Sequence, residues 1–279
     1  MPNLVYLNSK YIPFKDAKIP IEDRGFQFSD SVYEVVKVIN KKILDFDFHM
    51  RRLKFSTSEL KFNFKVNSIL LKKIFENLII KNKLSNGIIY FQITRGVQSR
   101  EHAYKKNLKP NVVVYTAKKK FNLPNKNYKG FKAITYPDIR WGRPDIKTTS
   151  LLANIIASTE AKKNGAYETI LVKKKKITEA SHSNVWIVKG KKIITHPANK
   201  EILKGVTRTV LINIIHSLDL KLIEKEFSLN ELYKSDEVFV TSSGSLVTPI
   251  IQIDNIKINN KKIGKITKTL ALSFYKSII

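Results

Sequence analysis

Lys147 closes a loop punctuated by Pro137, Gly142 and Pro144 and stands immediately before a helix-forming run. Its position marks it out, although lysines are mostly exposed and spacing alone favours a surface residue. Lys204-Gly205-Val206-Thr207 opens another helical run. Backbone N–H groups at a helix start, a glycine that permits close approach and a hydroxyl make a cradle for an anion; taken alone, the motif favours Thr207 as a plain N-cap. Thr241-Ser242-Ser243-Gly244-Ser245 follows an apolar strand. Hydroxyls with a glycine at a strand's C-terminal end suit a phosphate, and also suit an ordinary polar turn. Glu179 stands between Ile177-Thr178 and Ala180-Ser181-His182-Ser183-Asn184, where its carboxylate can meet a ligand cation or simply face solvent beside the basic run 173–176. Two hydroxyl-bearing loops together favour a ligand that carries phosphate. Neither is a P-loop, and there is no G-x-G-x-x-G.

Composition narrows the class. The chain has 279 residues, 51 Lys and Arg against 23 Asp and Glu, a formal charge of +28 and no Cys. With 43% hydrophobic residues it can build a core in one large or two ordinary domains. The absence of Cys excludes disulfides, thiolate nucleophiles and Cys-ligated metal, and no other metal-ligand set stands out. No apolar run approaches the roughly 20 residues needed to span a bilayer, and residues 1–14 lack a continuous apolar stretch of the signal-peptide kind. The expectation is a soluble, cytoplasmic protein. The charge invites a nucleic-acid reading, but the basic residues are mostly Lys, scattered and set in turns, with only eight Arg. Such a surface bears on solubility and association rather than on fold.

The elements that must position these residues alternate. Strands are expected over residues 4–7, 32–39, 87–94 and 111–116, with helices over 48–60 and from 68 to before Asn86-Gly87. Residues 119–129, with Pro124 and several Lys and Asn, have no periodicity and read as a linker. Beyond it, strands are expected over 131–135, 168–172, 184–188, 192–195 and 236–241. Helices are expected from about 149 to 164, ended by Gly165, and over 207–218. The reading is α/β (α+β) in two domains, an N-terminal α/β domain over 1–118 and a C-terminal domain over 130–279.

Taken together the segments resemble the class IV aminotransferases, the fold-type IV enzymes that use pyridoxal 5′-phosphate. The resemblance runs from about Leu4 to Asp254. It is carried by Glu22-Asp23-Arg24-Gly25-Phe26-Gln27-Phe28, Val32-Tyr33-Glu34-Val35, His49 with Arg52-Leu53, and Gln92-Ile93-Thr94-Arg95-Gly96. Further along it is carried by Asp138-Ile139-Arg140-Trp141, Asp145-Ile146-Lys147, Thr178-Glu179 with Ser183-Asn184-Val185, and Thr195-His196-Pro197. The last pieces are Ile202-Leu203-Lys204-Gly205-Val206-Thr207-Arg208 and Val240-Thr241-Ser242. It implies a smaller N-terminal α/β domain and a β-barrel-like C-terminal domain that binds the cofactor.

The resemblance also implies roles. Lys147 matches the catalytic lysine that joins the cofactor and then carries the substrate's α-proton. Glu179 matches the carboxylate facing the pyridine nitrogen. Arg52, Val206, Thr207 and Ser243 match phosphate ligands, and Leu203 an apolar residue against the ring. Tyr33 with Arg100 and His102, in Arg100-Glu101-His102, matches a trap for the substrate α-carboxylate. The implied reaction is transamination between a D-amino acid, of the D-alanine or D-glutamate kind, and a 2-oxo acid such as 2-oxoglutarate or pyruvate, in a homodimer whose Arg100–His102 loop reaches the neighbouring subunit's site. Branched-chain L-amino acid transamination and aminodeoxychorismate lysis are the alternatives within the family, and a basic nucleic-acid-binding protein the alternative outside it. The chain departs from the family pattern at Ser29 and Ser31, where glycines are usual, at His182, where a Ser is usual, and at Gly244, where a hydroxyl is frequent.

Overall fold

Asn8 and Ser9 both adopt positive φ (46° and 74°), the turn that lets two strands fold back tightly. They join Leu4–Leu7 (β1) to Lys10–Pro13 (β2). After a short helix, Arg24–Phe28 (α1), the chain forms Ser31–Ile39 (β3), Lys42–Ile43 (β4), two 14-residue helices, Phe46–Glu59 (α2) and Ser68–Lys81 (α3), and the strands Gly87–Thr94 (β5) and Val112–Lys118 (β6). The sheet order is β2-β1-β6-β5-β3-β4. Its buried alternation (Val36 and Val38, Ile89 and Phe91, Val114) meets Leu53 of α2 and Leu71, Phe75 and Leu78 of α3 in one core.

The computed structural model describes residues 3–278 and divides the chain into two units. The first is Met1–Lys120 with Ile146–Ser150, and the second is Phe121–Asp145 with Leu151–Ile279. Residues 119–130 form neither strand nor helix. Residues 121–129 of the expected linker group with the second unit, and the segment containing Lys147, expected in the C-terminal domain, groups with the first. The helix expected from about 149 accordingly starts only at Leu152. The residues before it are drawn alongside β3 by a Val32–Thr148 bridge and by bonds from Tyr33 N–H to the Lys147 carbonyl (3.0 Å) and from Thr149 N–H to the Ser31 carbonyl (3.2 Å).

The second unit runs Phe131–Pro137 (β7), Leu152–Lys163 (α4), Glu168–Lys173 (β8), Lys176–Ala180 (β9), Asn184–Lys189 (β10), Lys192–Thr195 (β11) and Val206–Ser217 (α5). It continues with Lys221–Glu224 (β12), Leu229–Tyr233 (α6), Glu237–Ser242 (β13), Leu246–Ile253 (β14), Ile256–Lys257 (β15) and Lys265–Lys276 (α7). Its nine strands order as β12-β11-β10-β13-β14-β7-β8-β9, with β15 on β14. Strand β9 ends this order while β10 lies well inside it, yet only residues 181–183 connect them, so the sheet must curl back on itself. This mixed α/β architecture is the expected class. In this unit the sequence reading did not include β9, β12, α6, β14, β15 or α7. Strand β9 hides because its hairpin turns on Lys174 and Lys175 (φ 48° and 64°), residues with no turn signature.

Ser29, where a glycine is usual, sits at the C-cap of α1 with φ 55°, ψ 23°. That left-handed conformation carries a penalty for any residue with a Cβ. Ser29→Gly should therefore be neutral to stabilising, by up to about 1 kcal/mol. Urea unfolding of the variant against the wild type measures it.

Candidate active site

In the first unit the site residues cluster on β3 and the elements beside it. Tyr33 projects from β3, stacks on Tyr90 (centroids 5.6 Å apart) and lies 4.2 Å below the Lys147 Nζ. The Lys147 N–H donates to Ser56 Oγ of α2 at 3.3 Å. Its carbonyl is held by Tyr33, so both sides of the lysine backbone are tethered. Ser31, the second departure from glycine, contributes here: its hydroxyl bonds the Thr149 hydroxyl and accepts from Gln92 Nε2.

One residue further along β3, Glu34 is wholly buried and takes both Arg52 Nε (2.8 Å) and Arg52 Nη2 (2.7 Å) in a two-pronged ion pair. His49 Nδ1 lies 2.7 Å from Glu34 Oε2. Burial would raise the Glu34 carboxyl, but the Arg52 charge and the hydrogen bonds from Arg52 and His49 overcome it and hold the group at about 2. Burial pushes His49 below the ordinary imidazole range against the pull of Glu34. A neutral His49 then donates from Nδ1 to a charged Glu34. Arg52 is thereby aimed by a buried carboxylate that sequence reasoning left without a role. Arg24 similarly fixes the loop of the R-x-H pair, donating to the carbonyls of Glu101 (2.7 Å) and His102 (2.9 Å). Arg100 and His102 are exposed and pack on Phe28. Among the described residues no hydrogen bond or ring contact links them to Tyr33.

In the second unit Glu179 is a buried residue of β9, not a turn residue. Its Oε1 accepts from Arg140 Nη1 and from the Leu203 N–H (3.1 Å), and its Oε2 from Asn184 Nδ2 (3.0 Å). Arg140 is locked in turn by Asp138 and donates to the Glu201 carbonyl at 3.0 Å. Burial pushes the Glu179 carboxyl from 4.5 up to about 7, against the charge of Arg140 and the Leu203 amide. A cationic N–H facing the carboxylate would favour its charged form. Sequence reasoning had Arg140 only inside a motif; the signal for its role is an Asp-x-Arg ahead of a buried carboxylate. The unusual His182 pairs with Glu168 (3.1 Å), which also bonds Ser181 and Ser183.

Helix α5 starts at Val206, one residue ahead of expectation, with Gly205 rather than Thr207 at the N-cap and no side chain capping it. The amides of its first turn lack intrahelical acceptors, and such a terminus is suited to phosphate. A Cβ at Gly205 would stand 2.2 Å from Asn184 Oδ1, so a larger residue there would displace the Asn184 side chain. Asn184 Nδ2 also donates to the Leu203 carbonyl (2.9 Å), so one side chain seats both Glu179 and the approach to α5. Asn184 pairs with Thr241 across β10 and β13. Just beyond, Ser243 and Gly244 lie in a turn closed by Ser242 and Ser245 (2.7 Å).

Within the second unit, Asn184 thus links a buried carboxylate to the approach of a helix terminus suited to an anion. The family model for amino-transferase class IV matches residues 31–253, and the chain belongs to that family. It is 36% identical over 276 residues to the D-alanine aminotransferase of Listeria monocytogenes, covering 98% of this chain and 96% of the relative. It is likewise 36% identical over 278 residues to the D-alanine aminotransferase of Staphylococcus aureus strain N315, with 98% and 97% covered. Among solved structures it superposes on the branched-chain amino acid aminotransferase of Escherichia coli with a TM-score of 0.89 at 22% identity, covering 99% and 94% of the two chains. The branched-chain amino acid aminotransferase of Thermobaculum terrenum, in its PLP-bound holo-form, gives 0.89 at 21%, also covering 99% and 94%.

The raised Glu179 carboxyl binds its proton more tightly in the folded than in the unfolded chain. Folding stability should therefore fall as pH rises from about 4.5 to about 7. In protein dialysed free of small ligands, the Glu179→Gln variant should lose that part of the slope. Urea midpoints between pH 4 and 8 measure it.

Proposed function

We propose that this aminotransferase exchanges the amino group of a D-amino acid, of the D-alanine or D-glutamate kind, with a 2-oxo acid, using pyridoxal 5′-phosphate. The observation that carries the reading is the Glu179 clamp: a buried carboxylate whose neighbouring donors leave it at about 7 suits a partner that presents an N–H cation. Bound pyridoxal phosphate supplies a carbonyl carbon for the amine and a ring that takes up electron density as the α-proton leaves. Glu179 would hold the proton on the ring nitrogen. The Val206 and Thr207 amides, the Ser243 hydroxyl and the Arg52 guanidinium would hold the phosphate, and Leu203 would lie against the ring. Lys147 would be the covalent anchor and would carry the α-proton. Its tethers to β3 and α2 fix the origin of the side chain, which limits the entropy lost on reaching the reacting carbon.

The preference for the D series rests on the curated relatives and on Arg100-Glu101-His102. Arg24 presents Arg100 and His102 outward from their own chain, which supports a carboxylate trap completed in a homodimer. Helix α4 supports the same assembly: Leu152, Ile155 and Ile156 are 72%, 58% and 41% exposed on one face, while the helix buries only the small Ala157 and Ala161. With +28 per chain opposing association, such an interface must be largely apolar. Light scattering should show an active dimer; an active monomer would remove the trap from the neighbour's site.

A panel of D- and L-amino acids with 2-oxoglutarate tests the reaction. D-Alanine should exceed L-alanine by at least about a hundred-fold in kcat/KM, about 2.7 kcal/mol, because an L substrate in the same trap would set an apolar group against the Arg100 guanidinium. Arg100→Ala should raise the KM for D-alanine and narrow that preference, and Lys147→Ala should abolish turnover. Borohydride should fix the cofactor on Lys147, located by peptide mass spectrometry. L-Leucine or L-valine as the better donor would replace the D-amino acid reading with the branched-chain one.

A further inference from the structure

His196 directly follows β11, and its side chain is 1% exposed. Its Nδ1 lies 2.9 Å from the Pro197 carbonyl. A carbonyl only accepts, so Nδ1 carries the proton and Nε2 is the ring's remaining polar atom. Nε2 is buried and has no hydrogen-bond partner. It lies 3.7 Å from Glu201 Oε2, beyond hydrogen-bond reach. Donor atoms of His196, Glu201 and Glu226 all lie within 4.8 Å of one another.

The fold brings these residues together for a clear reason. Strands β11 and β12 are parallel neighbours, with Thr195 opposite Glu224. Their C-terminal ends therefore deliver His196 and Glu226 to one edge, and the following loop returns Glu201 to the same place. An unpartnered buried imidazole nitrogen carries a desolvation cost. A histidine whose other nitrogen donates to a backbone carbonyl has the arrangement found where imidazole binds a metal. Ligands at about 2.1 Å around a four-coordinate ion stand roughly 3.4 Å apart, close to the His196–Glu201 separation.

The surrounding charges are mixed. Lys173 Nζ takes Glu201 Oε1 at 2.9 Å and leaves Oε2 toward the imidazole. Lys225 is drawn away to Glu231 (2.9 Å), and Arg208 is paired with Glu224 while donating to the His196 carbonyl. We propose that His196 Nε2, Glu201 and Glu226 bind a divalent cation of the borderline class, with Zn2+ or Co2+ as representative ions. Sequence spacing predicts no metal set, because the ligands come from a strand end, a loop and the neighbouring strand. Since the Glu201 carbonyl receives Arg140, the cation braces residues 196–204 against the clamp on Glu179.

The test uses untagged, cofactor-loaded protein stripped with a chelator and titrated with Zn2+ by calorimetry and with Co2+ by visible absorption. One equivalent per chain should bind at micromolar strength or tighter, and Zn2+ should raise the thermal midpoint by several degrees. Glu226→Gln, on an exposed side chain, and Glu201→Gln should each weaken binding at least ten-fold. His196→Gln should remove the stoichiometric site and the Co2+ bands. No binding tighter than millimolar, or a site indifferent to Glu226→Gln and Glu201→Gln, overturns the proposal. Neither result depends on which amino acid the enzyme uses.

Discussion

Keeping a carboxylate at Glu179 out of water is the constraint around which the second unit is organised. A buried anion without donors is untenable, and the chain brings donors to this one from three directions. Arg140 arrives from the loop after β7, Asn184 from the start of β10, the Leu203 amide from the segment before α5, and Asp138 steadies Arg140 from behind. Each contact also fixes something else. Asn184 also holds the Leu203 carbonyl and packs closely on Gly205, so the approach to α5 is tied to the same group that feeds Glu179. The curled sheet is what lets β9 and β10 share this task.

The first unit uses the same logic with a different outcome. Glu34 also sits in the interior, but its Arg52 partner is two-pronged and His49 adds a further donor, so its carboxyl is held low instead of raised. One buried acid is poised near neutrality and the other is permanently charged. The difference lies in the partners and not in burial, which both share. The permanently charged acid serves as a fixed anchor for a cationic side chain. The poised one is free to respond to whatever faces it.

The legible parts of the sequence were those where chemistry is local. The apolar runs of β3, β5 and β10 carry their period with them, and helix α5 announces itself one residue from its true start. Glu179 and Lys147 stood out once motifs were joined in order. What could not be read was anything created by distant chain. Glu34 and Asn184 have no local signature that separates a clamp from a surface residue, and the Asp-x-Arg that carries Arg140 becomes a signal only once Glu179 is known to be buried. On α4 the large apolar residues lie outward and the alanines inward, the reverse of what amphipathic reasoning expects of a lone chain. Lys174 and Lys175 turn a hairpin although neither residue type favours positive φ, which concealed β9.

The grouping of Ile146–Ser150 with the first unit makes the chain pass from one unit to the other three times. A protease nick within residues 119–129 would cut the chain into two fragments, and the first unit would then be held together only by noncovalent contacts, among them the backbone hydrogen bonds between β3 and residues 147–149. During synthesis, the first unit lacks its last strip of backbone on β3 until residue 150 has emerged, well after residues 1–120 are available. The lysine is thus set in place as a late event of folding, and neither half of the gene alone encodes a complete unit.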